Sequence, residues 1–364
     1  MNLLWDQANP QLRRVTLYEP GKPIEETARE LGVDPDQVIK LASNENPLGP
    51  SPKAVAAMQG AIESAELYPD GGGFLLTTAL ATKLGCALDN IILGNGSNEI
   101  IEFLGHAFLK PGDDVLAFEH AFIAYKLIAA LFGARTVEVA AHDFQPDVDA
   151  LLNAITAKTK IIFIANPNNP TGALIPADKI DDFLARVPEN MITVIDQAYL
   201  EFLEHPPDVL RHVHENRNVV VLRTFSKIYG LASLRVGYAI ARPEIIEILR
   251  KTRQPFNVNG VGQTAALAAL NDHEHVRKTK AMTDEGRSFL EAQLNAMNLR
   301  FVPSAGNFVC VHVGDGAEVF KRMLARKIIV RPLRGYNLPE WLRITVGTME
   351  QNQKCIAALK EALI

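Results

Sequence analysis

The chain has 364 residues, with 37 lysines and arginines against 42 aspartates and glutamates, so its net charge of −5 argues against a nucleic-acid binder, which would carry a basic stripe. At 48% hydrophobic and 22% charged residues the composition excludes global disorder, and the length suggests roughly two domains. No apolar run reaches the roughly 18 residues of a membrane span, since Lys126 interrupts the greasiest stretch at 121–134, and Asp6, Gln7 and Asn9 stand where a signal peptide would be apolar.

Those features predict a soluble, cytoplasmic protein. Cys86, Cys310 and Cys355 are scattered, without the spacing of a disulfide framework or a zinc site.

The first 20 residues, punctuated by Asn9-Pro10 and Glu19-Pro20-Gly21, read as an irregular arm. A helix follows: Pro23 sits at its first turn, Glu25 and Glu26 complement its dipole, Ile24, Ala28 and Leu31 share a face, and Gly32 ends it. From about 84 to 222, short apolar runs alternate with helical stretches. Ile91-Ile92-Leu93 leads through Gly94-Asn95-Gly96-Ser97 into a helix, and Val115 to Phe118 precedes another near 121–131. The run 160–164 enters the Asn-Pro-Asn-Asn-Pro-Thr-Gly stretch at 166–172, 192–195 ends at Asp196, and 219–222 ends at Thr224-Phe225-Ser226-Lys227.

Apolar strands without alternation are buried on both faces, which predicts an α/β fold with a mostly parallel sheet flanked by helices. In such sheets ligands bind beyond the carboxyl ends of the strands. After about 254 the pattern changes to a long helix at 273–297, strand-like 308–313, a helix near 317–326, and short strands at 328–330 and 342–346. The division expected is 1–40 as an arm and helix joining the small domain, 41–255 as the large domain, and 256–364 as a small α+β domain.

Lys227 is one of 17 lysines, but its surroundings are unusual. It follows a buried strand, with Thr224 and Ser226 before it and Arg235 eight residues on, and two hydroxyls with an arginine suit a phosphate. A lysine beside a cation and partly desolvated has the depressed pKa that an imine-forming amine needs. Phosphate binding without a metal, next to a reactive lysine, points to pyridoxal phosphate. Asp196 is the candidate to face the pyridine nitrogen, and the turn at 94–99 offers free backbone N–H groups to an anion. No histidine cluster has ligand spacing, so no metal is expected.

Ser226-Lys227 with Gly230 and Arg235-Val236-Gly237-Tyr238, the 166–172 stretch, and Asp196-Gln197-Ala198-Tyr199 together resemble the fold-type I pyridoxal-phosphate aminotransferases. Leu41-Ala42-Ser43-Asn44-Glu45-Asn46-Pro47, Tyr68-Pro69-Asp70 and the stretch 342–347 resemble in particular the histidinol-phosphate aminotransferases, as does Tyr18-Glu19-Pro20-Gly21 in the arm.

The resemblance implies that Lys227 forms the imine and moves the substrate's α-proton. It implies that Asp196 pairs with the pyridinium, Asn169 and Tyr199 bond the ring's 3′ oxygen, and Phe122 stacks on the ring. Ser97, Asn98, Thr224, Ser226 and Arg235 would hold the phosphate, with Tyr68 of a second subunit completing the site in a homodimer. Tyr18, Asn46, Arg331 and Arg343 are the substrate-binding candidates: Arg343 for the glutamate carboxylate, Arg331 for the substrate phosphate.

The pattern departs from the family's at Gln197, where Glu is frequent, at Asn98, where Asp is usual, and at Ser233, where Gly is usual. The activity implied moves an amino group between glutamate and histidinol phosphate in histidine biosynthesis. The alternatives are an aromatic amino-acid aminotransferase on the same fold and a phosphothreonine decarboxylase.

Overall fold

The computed structural model describes the chain apart from residues 1, 2, 16, 18 and 19 and the side chains of Leu3 and Arg14. Its centre is a seven-stranded sheet in the order Ile91–Asn95, Val236–Ile240, Val219–Thr224, Ile192–Asp196, Thr159–Ala165, Asp114–Phe118, Arg135–Val139. All neighbours pair in parallel except Val236–Ile240, which runs antiparallel to the strands on both sides of it. This is the expected mostly parallel α/β architecture, with one reversed strand that the apolar pattern does not distinguish.

Alternation along the strands explains why their sequences are apolar throughout. Leu116, Ile162, Ile164, Ile195 and Val221 join one core cluster, while Val115, Ala117, Phe163, Val194 and Val220 join the other. Each face is roofed by helices, so both sets leave water. Arg135–Val139, unheralded in the sequence, is the edge strand and buries only Val139 fully, so its polar residues hide it from an apolar search.

A smaller unit holds an antiparallel sheet ordered Arg331–Leu333, Leu338–Thr345, Phe308–His312, Phe301–Val302. Helices His273–Ala296, Gly316–Ala325 and Met349–Ala362 pack on it through Leu290, Leu294, Val319, Met323, Ile356 and Leu359. The stretch expected as one strand at 328–330 is a two-residue strand, Ile328–Ile329, paired with Ile39–Lys40, followed by a separate strand. The arm also contains short helical turns, Leu3–Gln7 and Pro10–Arg14, where an irregular run is expected. Helix Ile24–Leu31 forms as predicted and ends on Gly32 at φ 64°.

The expected division at 255 assigns helix Gly260–Leu270 to the small unit. Its Ala265, Ala266, Ala269 and Leu270 are instead buried in the large unit's core with Leu76 and Leu80, so by packing it belongs to the large unit. The alanine-rich sequence shows that it packs closely but not on which side of the boundary. Among the described residues, no helix is long and apolar enough to cross a membrane.

The loop after Lys227 depends on a glycine. Gly230 has φ 70°, and a Cβ there would lie 2.2 Å from the Gly49 carbonyl oxygen. Gly230→Ala combines left-handed strain with a backbone clash. It should destabilise the protein by about 2 kcal/mol or more, read as a lowered midpoint in chemical denaturation.

Candidate active site

Six strands run in one direction and end on one edge, at Asn95, Phe118, Val139, Ala165, Asp196 and Thr224. The reversed strand brings its amino end, preceded by Arg235, to that same edge. The small unit's strands Arg331–Leu333 and Leu338–Thr345 face it, and a cavity of about 440 Å³ lies between. Carboxyl ends of a parallel sheet are where an α/β fold leaves room for a ligand, and the sequence-predicted residues meet there.

One end of the cavity is built for an anion. Helix Ser97–Phe108 starts on Gly96, whose φ of 76° and lack of a side-chain cap leave first-turn N–H groups without a capping partner. Ser97, Asn98, Thr224, Ser226 and Arg235 line this end. Arg235 Nη1 donates to the Ala232 carbonyl at 3.1 Å and to Ser226 Oγ at 3.4 Å, while the Ser226 N–H donates to Thr224 Oγ1 at 3.0 Å. A Cβ on Gly96 would fall 2.3 Å from Arg235 Nη2, and one on Gly237 would fall 2.4 Å from the Ser97 nitrogen. Both glycines are therefore needed for the guanidinium and the helix start to converge. Ser233 also lines the cavity, from the 3-10 turn Ala232–Leu234.

Asp196 occupies the floor. Its Oδ2 accepts from the Tyr125 hydroxyl at 2.9 Å and its Oδ1 from the Ala198 N–H at 3.1 Å. Burial pushes the carboxyl up, and the Tyr125 and Ala198 hydrogen bonds and the charge of Lys227 pull it back. Tyr125 is itself stacked on Phe163, centroids 4.3 Å apart, and edge-on to Phe122, which lines the cavity. Phe122, Ala198 and Asp196 all line the cavity.

Tyr199 is buried beside it, its phenol pushed up to about 12 by burial. Asn44 Nδ2 donates to its oxygen at 2.9 Å.

Lys227 Nζ donates to the Ser43 carbonyl at 3.1 Å and lies 5.8 Å from the centre of the Tyr199 ring. Desolvation, then the nearby Arg343 charge, hold the amine down to about 8; Arg235 adds to the effect, while Glu45 and Asp196 oppose it. Both causes anticipated from the sequence, partial desolvation and a neighbouring cation, act on the amine, and desolvation is the larger.

The two arginines expected to bind substrate stand opposite each other: Arg331 and Arg343 are direct partners across an antiparallel strand pair. Like charges in that position destabilise a sheet, so the arrangement suits a dianion between them. Arg343 is buried, with Nη1 donating to Asn169 Oδ1 at 2.5 Å, Nη2 to the Ala42 carbonyl at 2.6 Å, and a buried Nε with no partner. Arg331, Arg343 and Asn169 all line the cavity.

Two predicted residues, Asn46 and Tyr68, do not line the cavity. Asn46 Nδ2 donates to the Ile228 carbonyl at 2.9 Å and to Thr279 Oγ1 at 3.1 Å, and its Oδ1 accepts from the Leu48 N–H. That amide ties the loop to its surroundings. Tyr68 is 83% exposed on the surface, stacked on Phe256 at 4.8 Å. Tyr18 lies outside the described residues.

Conversely, Tyr125, Asn44, Glu45 and Tyr336 are absent from the sequence-predicted set. Glu45, Asn44 and Tyr336 line the cavity. Asn44 and Glu45 were within the quoted motif, but neither carries a pattern separating it from Asn46. His120, at φ 54°, donates from Nδ1 to the Tyr336 carbonyl at 2.6 Å and serves the wall's backbone.

A half-buried lysine and a carboxylate in one cavity with a helix-start anion cradle fit an aminotransferase-type site. The sequence profile of the family described as aminotransferase class I and II matches residues 36–359, and the chain belongs to that family. It is 52% identical over 357 residues to a histidinol-phosphate aminotransferase of Akkermansia muciniphila, covering 98% of each chain. It is 48% identical to histidinol-phosphate aminotransferase 2 of Ralstonia nicotianae, covering 97% of this chain and 96% of that one. Among solved structures, the histidinol-phosphate aminotransferase of Sinorhizobium meliloti in complex with pyridoxal-5′-phosphate superposes with a TM-score of 0.88 at 26% identity, covering 98% of this chain and 97% of the other.

An amine with its pKa held at about 8 gains its neutral, nucleophilic form as pH rises through that value. Labelling of the cofactor-free protein with trinitrobenzenesulfonate should therefore modify Lys227 at a rate reaching half its plateau near pH 8. Peptide mapping that placed the half-point near 10, with the surface lysines, would contradict the desolvated site.

Proposed function

We propose that the chain transfers an amino group between glutamate and histidinol phosphate, with pyridoxal phosphate as cofactor, as a step of histidine biosynthesis in the cytoplasm. One observation carries this reading: two arginines in direct register, Arg331 and Arg343, face a cavity that also holds the Lys227 amine and a helix-start anion cradle. Two separate anion sites on either side of one amine suit a phosphorylated cofactor and a phosphorylated substrate. The names of the relatives favour histidinol phosphate over an aromatic amino acid.

Pyridoxal phosphate, when bound, supplies an aldehyde that takes up the substrate amine and a ring that withdraws electrons from the α-carbon. The residues of the chain do the rest. Ser97, Asn98, Thr224, Ser226 and Arg235 hold the cofactor phosphate. Asp196, whose carboxylate form the Tyr125 and Ala198 hydrogen bonds favour against burial, would pair with the ring nitrogen, and Tyr199 and Asn169 would bond the ring's 3′ oxygen. Phe122 would stack on the ring.

Lys227 Nζ, neutral for a substantial fraction of the time near pH 8, takes the proton from the substrate α-carbon and later returns it. Arg343 binds the glutamate carboxylate in one half-reaction, and with Arg331 the phosphate in the other.

We further propose a homodimer in which Tyr68 completes the neighbouring subunit's phosphate site. Its support is the exposed apolar surface around it, where Ile62, Leu67, Phe74 and Leu75 are each at least 60% exposed. The three-part division of the chain is also kept as a proposal, with helix Gly260–Leu270 moved to the large unit.

Adding histidinol phosphate to the protein loaded with pyridoxal phosphate should bleach its visible band. A response to phenylalanine well above that to histidinol phosphate would transfer the assignment to aromatic amino acids. Lys227→Ala should abolish transamination with the melting temperature little changed. Arg331→Ala should lower kcat/KM for histidinol phosphate by about 100-fold and that for glutamate by less than about threefold, the loss expected for a charge-assisted contact to phosphate.

A further inference from the structure

Tyr199 accepts a hydrogen bond from Asn44 Nδ2 at 2.9 Å. A phenol that accepts on one side has its own proton free to point elsewhere. The direction of the Asn44 amide therefore decides whether the Tyr199 proton points into the cavity or back into the protein. An amide can present either its oxygen or its nitrogen, and the choice is read from its other partner.

Here that partner is Thr345. The Asn44 backbone N–H donates to Thr345 Oγ1 at 2.9 Å, and Thr345 Oγ1 lies 3.1 Å from Asn44 Oδ1. With its oxygen accepting from the backbone, the threonine has one hydroxyl proton to give, and Asn44 Oδ1 is the acceptor in range. The amide oxygen is thereby committed to Thr345 and the amide nitrogen to Tyr199.

The backbone on both sides of the pair is fixed as well. Asn307 Nδ2 donates to the Asn44 carbonyl at 3.1 Å, and the Thr345 N–H donates to the Leu41 carbonyl at 2.9 Å. Asn44, Tyr199, Asn307 and Thr345 are all buried, each at most 4% exposed, so water does not compete for these bonds. Thr345 stands two residues after Arg343 on the same strand and on the same face of the sheet. The strand that carries the substrate-binding arginine thus also carries the residue that orients the tyrosine.

We infer that Asn44 and Thr345 are positioning residues that aim the Tyr199 hydroxyl proton at the 3′ oxygen of the cofactor ring. The inference rests on the proposed role of Tyr199. A proton donated to that oxygen stabilises its charged form and lowers the pH at which the ring system loses its proton.

The test is the pH midpoint of the visible absorption of the protein loaded with pyridoxal phosphate, together with the dissociation constant of the cofactor. Tyr199→Phe sets the scale, with an upward shift of about one pH unit for one lost hydrogen bond to a charged oxygen. Asn44→Asp, which can only accept from Tyr199, should shift the midpoint upward by at least as much and weaken cofactor binding about tenfold. Thr345→Val releases the amide without adding charge and should shift it in the same direction, whereas Thr345→Ser should restore the original value.

A shift in Asn44→Asp alone reports its added carboxylate and overturns the inference, as does a lowered melting temperature in Thr345→Val with an unmoved midpoint. An unmoved midpoint in Tyr199→Phe removes the role of Tyr199 and the inference with it, while a shift there with neither Asn44→Asp nor Thr345→Val following removes only the inference.

Discussion

The site depends on crowding positive charge into a small, dry space. Lys227, Arg235, Arg331 and Arg343 share one cavity in which Asp196 and Glu45 are the carboxylates, and an uncapped helix start adds its own positive potential. Each cation raises the cost of keeping its neighbours charged. The amine is the one that yields, because a guanidinium does not lose its proton in a protein. Desolvation lowers the Lys227 amine most, and the same crowding of cations that favours anionic ligands lowers it further.

The floor of the site was legible because its chemistry sits next to its structure in the chain. Asp196 ends an unbroken apolar strand, and Lys227 follows another by three residues, so locating the strands located the residues. Arg331 and Arg343 were legible through family resemblance, but their face-to-face pairing was not. Pairing is a property of strand register, and the turn between them gives no local signal.

Asn46 was chosen over Asn44 for a similar reason: two asparagines of one loop look alike until their hydrogen-bond partners are known, and those partners are Thr279 and Ile228 for one, Thr345 and Tyr199 for the other. Tyr125 sits inside an apolar helix with no motif around it, and only the packing of that helix on the sheet brings its hydroxyl to Asp196. Helix Gly260–Leu270 was misallocated because alanine-rich sequence reports close packing and not the partner.

The segment 39–49 joins the two units more tightly than a linker would. Its first residues pair with Ile328–Ile329, Asn44 bonds to Thr345 and Tyr199, Asn46 reaches the loop after Lys227, and the Gly49 carbonyl receives His275. One short stretch of chain therefore sets the small unit's height above the sheet edge. It also places the Ser43 carbonyl against the Lys227 amine. The reactive nitrogen is positioned by backbone from a distant part of the chain as well as by its own strand.

That stretch also imposes an order on how the molecule is made. Ile39 pairs with Ile328, and Lys40 with Ile329, so an early part of the chain waits for nearly the last part to emerge. At ribosomal rates of about 5–20 residues per second, the delay is roughly 15–60 seconds. During it the large sheet can form from strands close in sequence, while the segment that will seat the small unit has no partner to pair with. Contacts spanning most of the chain are slow to close. The cavity is therefore completed late, and a nascent chain carries Lys227 well before the surroundings of its amine are assembled.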